Sequence, residues 1–493
     1  MAGKQVYLAI DLGAESGRAM AGIFDGRGLA LQEIHRFPNG PVRLPDGLHW
    51  NALQQFAEIQ TGLTRAASEF GKSLISAGVD TWGVDFGLLD AQGALLGNPR
   101  HYRDARTDGE PERVFKKIPR ESLCRATGLQ IMQLNTLFQL SSMARSKSPQ
   151  LSSARTLLFM PDLFHYWLTG RKTNEWTIAS TSQCFNPRTR APVRSILKQL
   201  DIPDRLFPEQ VDAGTRLGPL LPEWARATGA GRLTLVAPGT HDTASAVAAV
   251  PLRNAGDVFL SSGTWSILGM EWPRPRITRE TIRLNFTNEG GVCGRTRLMK
   301  NIMGLWIVQE CRRTWAAAGE SLSYEDLSRL AAEAPAFRSF ILPDHASFFP
   351  PGDMPSRIRR FCRDTGQPVP RTRGEIVRTA LESLALTYGR VLRQLIRATG
   401  ASPATLHIIG GGSRNTLLNR FAAGATGLPV VAGPVEATAA GNILMQLLAA
   451  GRIASLEEGR ALIRKSFPTE TIEAADIDEW KAAAERYEAL NAP

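Results

Sequence analysis

The sequence predicts an α/β protein with two large domains, and three observations support this prediction. The chain has 493 residues, whereas single hydrophobic cores stop growing at roughly 250–300 residues. A strand, a glycine-containing turn and a second strand open the chain, and the same order recurs from residue 258. Between these repeats, helical periodicity alternates with short apolar runs. We expect domains at residues 1–250 and 251–493, because Pro251, Asn254 and Gly256 break a helical pattern there.

The first repeat predicts a nucleotide site that differs from the common glycine-rich motifs. Apolar runs at residues 6–10, 19–24 and 29–37 predict strands, and Asp25-Gly26 predicts a hairpin turn. A dinucleotide-binding fingerprint requires a helix directly after its glycines. Here a strand follows the glycines instead, so we expect a different nucleotide-binding architecture.

The turn at residues 11–18, DLGAESGR, carries groups suited to phosphate. Glycines allow backbone N–H groups to crowd around phosphate oxygens. Ser16 adds a hydroxyl group and Arg18 adds a positive charge. Asp11 ends the strand, where a carboxylate can hold magnesium through water. The alternative is a tight hairpin with a capping aspartate, and this motif alone leaves both interpretations open.

His241-Asp242-Thr243 follows a predicted strand at residues 233–237 and opens a predicted helix. Helix N-termini favour carboxylates, so Asp242 is either a helix cap or a functional carboxylate. Phosphoryl transfer to an alcohol needs a carboxylate that accepts the proton of the attacking hydroxyl group. Asp242 is our candidate for this base, with Asp85 as the weaker alternative.

Residues 79–86, VDTWGVDF, are predicted to form a buried strand. Two carboxylates, Gly83 and a tryptophan would suit a sugar, because polar groups bind hydroxyl groups and aromatic rings contact C–H faces. The alternative is a strand end that enters a loop.

The second half contains two further candidate sites for phosphate or nucleotide. Thr264 lies in the small-residue turn SSGTWS of the repeated unit. Three glycines at residues 410–412 lie between a predicted strand at residues 406–409 and a predicted helix at residues 415–423. A long amphipathic helix is predicted at residues 374–398.

Composition excludes several classes of protein. The net charge is +11, but no run of five like charges is present, so we expect no nucleic-acid partner. The five cysteines show no CxxC pair, which favours free thiols in a reducing compartment. Without a long apolar segment or signal region, we expect a cytoplasmic protein and no membrane partner. An oligomer cannot be inferred from this sequence.

Taken together, these motifs resemble the FGGY family of carbohydrate kinases. The likeness runs from residue 11 to residue 442, and it consists of many motifs that occur in the same order as in the family. The segments that carry it are IDLG at 10–13, DTWGVDFGLLD at 80–90, YRDART at 102–107, MPDLF at 160–164, HDTASAV at 241–247, LSSGTWS at 260–266, NIMGLW at 301–306, GGGSRN at 410–415 and GPVEATAAGN at 433–442.

The resemblance implies two actin-like, ribonuclease-H-like ATPase domains around a central cleft. It implies the phosphorylation of L-rhamnulose to L-rhamnulose 1-phosphate by ATP with Mg²⁺. By position, Asp242 matches the proton acceptor and Asp11 the aspartate linked to magnesium. The positions that match sugar contacts are Gly83, His241, Asp242, Thr243 and Asn301. The positions that match ATP contacts are Ala14, Glu15, Ser16, Gly17, Arg18, Thr264, Gln309 and Gly411.

Two alternatives remain open at the level of sequence. Another ketose of the same family, such as L-fuculose or xylulose, could be the substrate. A catalytically silent actin-fold sensor would predict loss of Asp242 or of the glycine turn, and neither is lost. Glu15 departs from the family pattern, since a negative charge beside ATP phosphates is unexpected unless it points outward or helps to hold the metal.

Overall fold

The computed structural model describes residues 4–231, 233–254 and 256–490, and its contacts divide the chain into two compact units. Unit 1 comprises Met1–Pro251, Glu271–Leu298 and Ala437–Phe467. Unit 2 comprises Leu252–Met270, Met299–Glu436 and Pro468–Pro493. Each unit therefore combines segments that are distant in sequence. The division into domains at residues 1–250 and 251–493 stays a prediction, because these units are defined by contacts and not by chain order.

Groups of strands and groups of helices follow one another along the chain. The strands are β1 (Gln5–Leu12), β2 (Ser16–Phe24), β3 (Leu29–Pro38), β4 (Pro41–Leu44), β5 (Gly47–Trp50), β6 (Leu74–Thr81), β7 (Phe86–Leu89), β8 (Thr156–Phe159), β9 (Asn174–Glu175), β10 (Gln210–Val211), β11 (Arg216–Pro219), β12 (Thr234–Val236), β13 (Val258–Ser262), β14 (Trp265–Trp272), β15 (Thr287–Gly290), β16 (Thr296–Met303), β17 (Leu406–Ile409), β18 (Val430–Ala432) and β19 (Glu470–Ile472). The helices are α1 (Ala52–Phe70), α2 (Glu110–Lys117), α3 (Arg120–Thr127), α4 (Thr136–Arg145), α5 (Pro149–Ser153), α6 (Met160–Thr169), α7 (Trp176–Ala179), α8 (Arg194–Gln199), α9 (Pro222–Thr228), α10 (Asp242–Ala248), α11 (Arg279–Arg283), α12 (Trp306–Ala317), α13 (Tyr324–Glu333), α14 (Met354–Asp364), α15 (Arg373–Thr399), α16 (Thr416–Thr426), α17 (Ala437–Ala449), α18 (Leu456–Ser466) and α19 (Ile477–Ala489).

The main sheet of unit 1 runs in the order β11-β12-β6-β1-β2-β3. Strands β1 and β2 form the predicted antiparallel hairpin, in which Asp11 lies opposite Arg18. Strand β6 is parallel to β1, with Asp80 beside Asp11, and β12 is parallel to β6. The carboxyl ends of β1, β6 and β12 therefore lie at the same edge of the sheet, which is where open α/β sheets bind their ligands.

Helices cover both faces of this sheet. A Cβ atom at Gly62 of α1 would lie 2.8 Å from the Ala19 side chain, and one at Gly22 would lie 2.5 Å from Ile443 of α17. Ala19 and Gly22 lie three residues apart on β2, so they point to opposite faces. The buried core of unit 1 thus has two layers, one on each side of the sheet.

Helices α10 and α17 approach each other unusually closely at Gly441. A Cβ atom there would lie 1.7 Å from the backbone oxygen of Ser245 in α10. Only glycine fits this contact, because a side chain would force one helix to move. The contact fixes the position of α10, whose first residue is Asp242.

Unit 2 repeats the arrangement seen in unit 1, in which the first strand of a hairpin also pairs with a parallel strand. Strands β13 and β14 are antiparallel, with Ser262 opposite Ser266, and β17 is parallel to β13. From β16 onward the sheet runs β16-β14-β13-β17-β18-β19. The predicted repeat of strand, turn and strand is confirmed.

Helix boundaries follow their capping residues. The predicted helix at residues 374–398 is observed as α15, which begins with a capping box between Thr372 and Glu375 and ends before Gly400. Gly400 has a φ angle of 75°, a left-handed conformation that glycine adopts without strain.

The prediction of one strand across residues 79–86 is wrong. Strand β6 ends at Thr81, and β7 begins at Phe86 and pairs with β8. Between them Val84 has a φ angle of 70°, and the Asp85 N–H donates to the Gly83 oxygen at 3.0 Å. This is a γ-turn with a β-branched residue at its centre, a strained conformation that hydrophobic periodicity does not reveal.

Replacing Gly441 by alanine should destabilise the protein despite the higher helix propensity of alanine. Alanine gains about 1 kcal/mol over glycine inside a helix, whereas overpacking against a backbone atom costs roughly 1–3 kcal/mol or more. At 1.7 Å from a backbone atom the cost should lie at the upper end of this range. We therefore expect a net loss of about 2 kcal/mol, seen as a lower urea midpoint by tryptophan fluorescence.

The matched control is Gly459→Ala in α18. There the new Cβ atom would lie 3.1 Å or more from the flexible ends of Ile453 and Leu444. This variant should be neutral or slightly stabilised, and equal losses in both variants would contradict the packing argument.

Candidate active site

Three carboxylates lie at or beside the strand ends of unit 1: Asp11 on β1, Asp80 on β6 and Asp242 at the start of α10. Asp11 and Asp80 are paired in the β1–β6 register. The Thr81 N–H donates to the Thr240 oxygen at 2.9 Å, which attaches the segment before α10 to the end of β6. Burial is the main cause that raises the pKa of Asp80 well above its usual range, and the charges of Asp11 and Asp242 add to the effect.

Asp80 is held by a polar chain from α17. Asn442 Nδ2 donates to Asp80 Oδ2 at 2.5 Å and to the Gly78 oxygen at 3.1 Å. Gln446 Nε2 donates to Asn442 Oδ1 at 2.7 Å and so orients the amide. The second oxygen of Asp80, Oδ1, is buried without a hydrogen-bond partner. Sequence analysis did not single out Asn442, although Asn442 and Gln446 are a polar pair at helical spacing in an otherwise apolar helix.

The turn after β1 is closed by its own backbone. The Gly13 N–H donates to the Ser16 oxygen at 2.9 Å, and Asn39 Nδ2 donates to the Gly13 oxygen at 2.7 Å. Arg18 forms an ion pair with Asp11 at 2.7 Å. Glu15 is exposed. The structure therefore brings Asp11, Arg18 and the glycine turn together, as the sequence predicted.

A second buried carboxylate, Glu175, holds the segment before α10. Its Oε2 atom accepts from the Thr240 hydroxyl at 2.7 Å and from the Thr177 backbone at 2.9 Å. The Thr177 hydroxyl in turn accepts from the His241 N–H at 3.2 Å. Glu175 was not predicted from the sequence, because it lies 65 residues before Thr240 in the chain.

Asp242 lies at the N-terminus of α10 with its carboxylate partly exposed. Its Oδ1 atom accepts from the Thr243 backbone at 2.5 Å and from the Thr243 hydroxyl at 3.1 Å. Partial burial raises the pKa of Asp242, the nearby His241 opposes this, and the charge of Asp11 adds to the rise. A carboxylate of raised pKa is a stronger base than a free aspartate.

His241 and Gly83 lie beside this carboxylate. His241 Nε2 lies 3.4 Å from Asp242 Oδ1. A Cβ atom at Gly83 would lie 3.3 Å from His241 Nε2 and 3.4 Å from Thr181. The absence of a side chain at Gly83 thus leaves space next to the imidazole. Gly83, His241, Asp242 and Thr243 form one group in unit 1.

Asp85 organises the turn that carries Gly83. Its Oδ2 atom accepts from the indole N–H groups of Trp50 at 2.6 Å and Trp82 at 3.0 Å, and from the Tyr102 backbone at 3.1 Å. Its Oδ1 atom accepts from Gln139 at 2.9 Å. Burial raises the pKa of Asp85 to about 6, and these hydrogen bonds oppose the rise.

These contacts favour structural roles for Asp85, the weaker candidate base, and for Trp82, which was expected to contact a sugar. A carboxylate engaged by four donors is a poor candidate for a general base. The Trp82 ring is buried, with its centroid 3.8 Å from that of Trp50. Trp82 therefore packs inside the protein and does not present its face to a ligand in this structure.

The predicted residues of unit 2 lie in the turn after β13, on β16, in the first turn of α12 and after β17. The Thr264 oxygen accepts from the backbone N–H groups of Gly304 and Trp306, both at 3.2 Å. Gln309 lies on α12, and its Oε1 atom is buried without a hydrogen-bond partner. Asn301 lies on β16 and is partly buried.

The glycines after β17 pack against the end of β13. A Cβ atom at Gly412 would lie 2.1 Å from the Ser262 hydroxyl, so this position requires glycine. At Gly411 a Cβ atom would meet nothing within 4 Å. Gly411 thus faces open space, which a bound group could occupy.

Magnesium fits this donor set only as a partner of phosphate. No cluster of three or more potential ligands is found among the described residues. Mg²⁺ commonly binds one or two carboxylates together with substrate phosphates and water. Asp11 and the unpartnered Asp80 Oδ1 supply oxygens of the required kind.

The stability of the Asp85→Asn variant relative to the wild type should depend on pH. Asp85 has a pKa of about 6 in the native state and about 3.9 when unfolded. The native state therefore binds the proton more tightly, and the stability that this gives the wild type is lost as pH rises through 6. The free energy of unfolding of the wild type minus that of Asp85→Asn should fall by about 1 kcal/mol between pH 5 and pH 8. Urea titrations at each pH measure this difference, and a constant difference would contradict the raised pKa.

Comparison with known proteins matches both halves of the chain to one family. Residues 6–249 match the model of the N-terminal domain of the FGGY family of carbohydrate kinases, and residues 258–450 match that of its C-terminal domain. A rhamnulokinase of Bacteroides thetaiotaomicron is 46% identical over 481 residues, which covers 97% of this chain and 98% of the relative. A rhamnulokinase of Enterococcus faecalis is 38% identical and covers 99% of this chain and 97% of the relative.

Solved structures share the fold. The ligand-bound xylulose kinase of Lactobacillus acidophilus has a TM-score of 0.81 at 15% identity and covers 99% of this chain and 96% of its own. The glycerol kinase of Plasmodium falciparum with ADP has a TM-score of 0.77 at 15% identity, with coverage of 99% and 98%. The predicted fold class is confirmed. The chain belongs to the FGGY family of carbohydrate kinases.

Proposed function

We propose that this chain is an ATP-dependent kinase that converts L-rhamnulose to L-rhamnulose 1-phosphate. The choice of sugar rests on the identity of up to 46% with rhamnulokinases over nearly the full chain. The chemistry rests on Asp242, a carboxylate of raised pKa at a helix N-terminus beside His241 and Gly83.

Asp242 acts as the general base in this proposal. The attacking hydroxyl group of the ketose is a weak nucleophile at neutral pH, and a nearby carboxylate can accept its proton as phosphoryl transfer proceeds. Asp242 is partly exposed, whereas Asp80 and Asp85 are fully buried. Asp242 is therefore the one of the three that a sugar can reach directly.

Gly83, His241, Thr243 and Asn301 bind the sugar in this proposal. Gly83 provides space next to the His241 imidazole. Thr243 holds Asp242 Oδ1 through its backbone and its hydroxyl group, which fixes the direction of the carboxylate. Asn301 is assigned from its position in the family motif alone.

ATP is bound by the glycine turn and by unit 2. Ala14, Glu15, Ser16, Gly17 and Arg18 form the turn at the end of β1. Thr264, Gln309 and Gly411 are the candidates in unit 2, supported by the unpartnered Gln309 Oε1 and the open space at Gly411. Asp11 would hold Mg²⁺, with Asp80 Oδ1 nearby. The ion would neutralise charge on the transferred phosphoryl group.

The two halves of the chain divide these tasks. We assign sugar binding and the first phosphate turn to residues 1–250 and the other ATP contacts to residues 251–493, supported by the family matches at residues 6–249 and 258–450.

Free cysteines at Cys124, Cys184, Cys293, Cys311 and Cys362 support a cytoplasmic location. Among the described residues, no helix is both long enough and apolar enough to cross a bilayer.

L-Rhamnulose should give the highest kcat/KM in a panel of ketoses and aldoses. ADP release with ATP and Mg²⁺ measures this, with L-fuculose, xylulose and glycerol as the comparison substrates. If xylulose or glycerol exceeds L-rhamnulose tenfold, about 1.4 kcal/mol in the transition state, the assigned sugar is wrong and the family assignment is unaffected.

The Asp242→Asn variant should lose at least about 10²-fold in kcat, the lower range for general-base catalysis. Asparagine keeps the shape of the side chain and its contact with Thr243 but removes the basic oxygen. Affinity for ATP and sugar should stay within a few-fold of the wild type, because ground-state contacts are retained. Steady-state kinetics and isothermal titration calorimetry measure the two effects.

Asp85→Asn is the comparison variant for this experiment. Its kcat is expected to stay closer to the wild-type value than that of Asp242→Asn, because Asp85 supports the Gly83 turn and does not take the proton. Near-normal kcat in Asp242→Asn together with an inactive Asp85→Asn that still binds both substrates would show that the wrong base has been named.

A further inference from the structure

Arg297 is a buried cation beneath the proposed sugar site that no role above employs. It lies on β16, and its side chain is 0% exposed. Its Nε atom donates to the Gly290 oxygen at 2.9 Å, and one terminal nitrogen donates to Glu289 Oε2 at 3.2 Å. The same nitrogen lies 3.0 Å from His241 Nδ1. A charge buried in this way is costly unless it is paired, so its place beside His241 calls for an explanation.

The chemistry of arginine determines which atom of His241 carries the proton. A guanidinium group has five N–H donors and no acceptor, and it stays protonated in proteins. At 3.0 Å it can only donate to Nδ1. A proton on Nδ1 would set one N–H group against another, so Nδ1 must present its lone pair. The ring is then neutral and carries its proton on Nε2.

Glu289 is the competing partner for Nδ1. Its Oε2 atom lies 3.4 Å from Nδ1, and it would favour a proton there. The arginine contact is shorter, and Glu289 already accepts from Arg297 and from the Thr287 hydroxyl at 3.2 Å. Glu289 therefore balances the charge of Arg297 and does not need a proton from His241.

The acceptor that orients Arg297 is itself fixed. A Cβ atom at Gly290 would lie 2.4 Å from Trp176 Nε1, so the backbone is in close contact with the indole ring. The Gly290 N–H donates to the Ser180 hydroxyl at 2.7 Å. With its Nε atom on this carbonyl, the guanidinium plane has little freedom to turn away from His241.

We propose that Arg297 is a positioning residue that fixes His241 as the Nε2-protonated neutral tautomer, so that the imidazole donates a hydrogen bond to a sugar oxygen beside Gly83 while Asp242 accepts the proton of the attacking hydroxyl group. The opposite tautomer would place a lone pair on Nε2, only 3.4 Å from a carboxylate oxygen of Asp242. Two acceptors would then compete for one hydroxyl proton. The kinetic part of this inference rests on the function proposed above, whereas the tautomer does not.

Nitrogen NMR of histidine tests the tautomer without any substrate. The chain has seven histidines, so selective ¹⁵N labelling gives few signals, and the His241→Asn variant identifies those of His241. In the wild-type protein at pH 7–8 we expect a non-protonated Nδ1 and a protonated Nε2. A proton on Nδ1, alone or together with one on Nε2, would overturn the proposal whatever the substrate proves to be.

Kinetics of two substitutions tests the consequence for the sugar. Arg297→Met should raise the KM for the best ketose about tenfold, the loss of roughly one hydrogen bond, and leave the KM for ATP within about twofold. Arg297→Lys can still donate to Nδ1, so it should restore part of the sugar affinity and keep the Nε2 proton. Equal rises in both KM values, with the His241 signals unchanged in Arg297→Met, would reduce Arg297 to a structural role.

Glu289→Gln keeps the test valid if Arg297→Met fails to fold. Its amide removes the competing carboxylate but keeps the shape of the side chain. We expect the His241 signals of this variant to match those of the wild type, because the group that favours a proton on Nδ1 has been removed. A proton found on Nδ1 in this variant would show that Arg297 does not fix the tautomer and would overturn the proposal. A wild-type tautomer as expected, combined with poor activity toward L-rhamnulose, would disprove the proposed sugar and leave the tautomer assignment intact.

Discussion

The parallel alignment of β1, β6 and β12 is the constraint on which the candidate site depends, because it brings acidic groups to one edge of the sheet. Asp11 and Asp80 are neighbours in the register, and the end of β6 is bonded to the segment that precedes Asp242. Like charges this close are unfavourable. Arg18 offsets the charge of Asp11, and Asn442 donates to Asp80. Burial raises the pKa values of Asp80 and Asp242, so a cation bound at this edge would stabilise their charged forms.

Hydrogen-bonded carboxylates that take no part in the chemistry hold this edge in place. Asp85 gathers donors from four separate segments, and Glu175 gathers donors from α7 and from the segment before α10. A buried carboxyl group that accepts several hydrogen bonds is held in one orientation, and the loss of a donor leaves a costly unpaired acceptor. The turn at Gly83 and the N-terminus of α10 are thus each fixed by a buried carboxyl group. Their strain, such as the γ-turn at Val84, is tolerated because the surroundings determine it.

Much of this arrangement could be predicted from the sequence, and the remainder has an identifiable cause. Strand, turn and helix signals are local, so the hairpin of β1 and β2, the repeat at β13 and the start of α10 at Asp242 follow from short segments. The strand predicted across residues 79–86 is wrong because its interruption depends on distant groups. Trp50 and Gln139 hold Asp85, and neither is signalled by the local pattern. Asn442 donates a hydrogen bond to Asp80, which lies 362 residues earlier in the chain, and local sequence patterns carry no signal of such a contact.

The position of Arg297 shows how an inner layer can determine the chemistry of an outer one. His241 and Asp242 are adjacent in sequence, and a histidine beside a carboxylate could serve as a donor, an acceptor or a cation. The position of the proton is determined at Nδ1, because the guanidinium group of Arg297, which has no acceptor, lies 3.0 Å away. Glu289 neutralises the charge of Arg297, and the burial of this ion pair prevents water from replacing either partner. The proton on Nε2 is therefore a consequence of packing beneath the site, and Asp242 is left as the acceptor that faces the substrate.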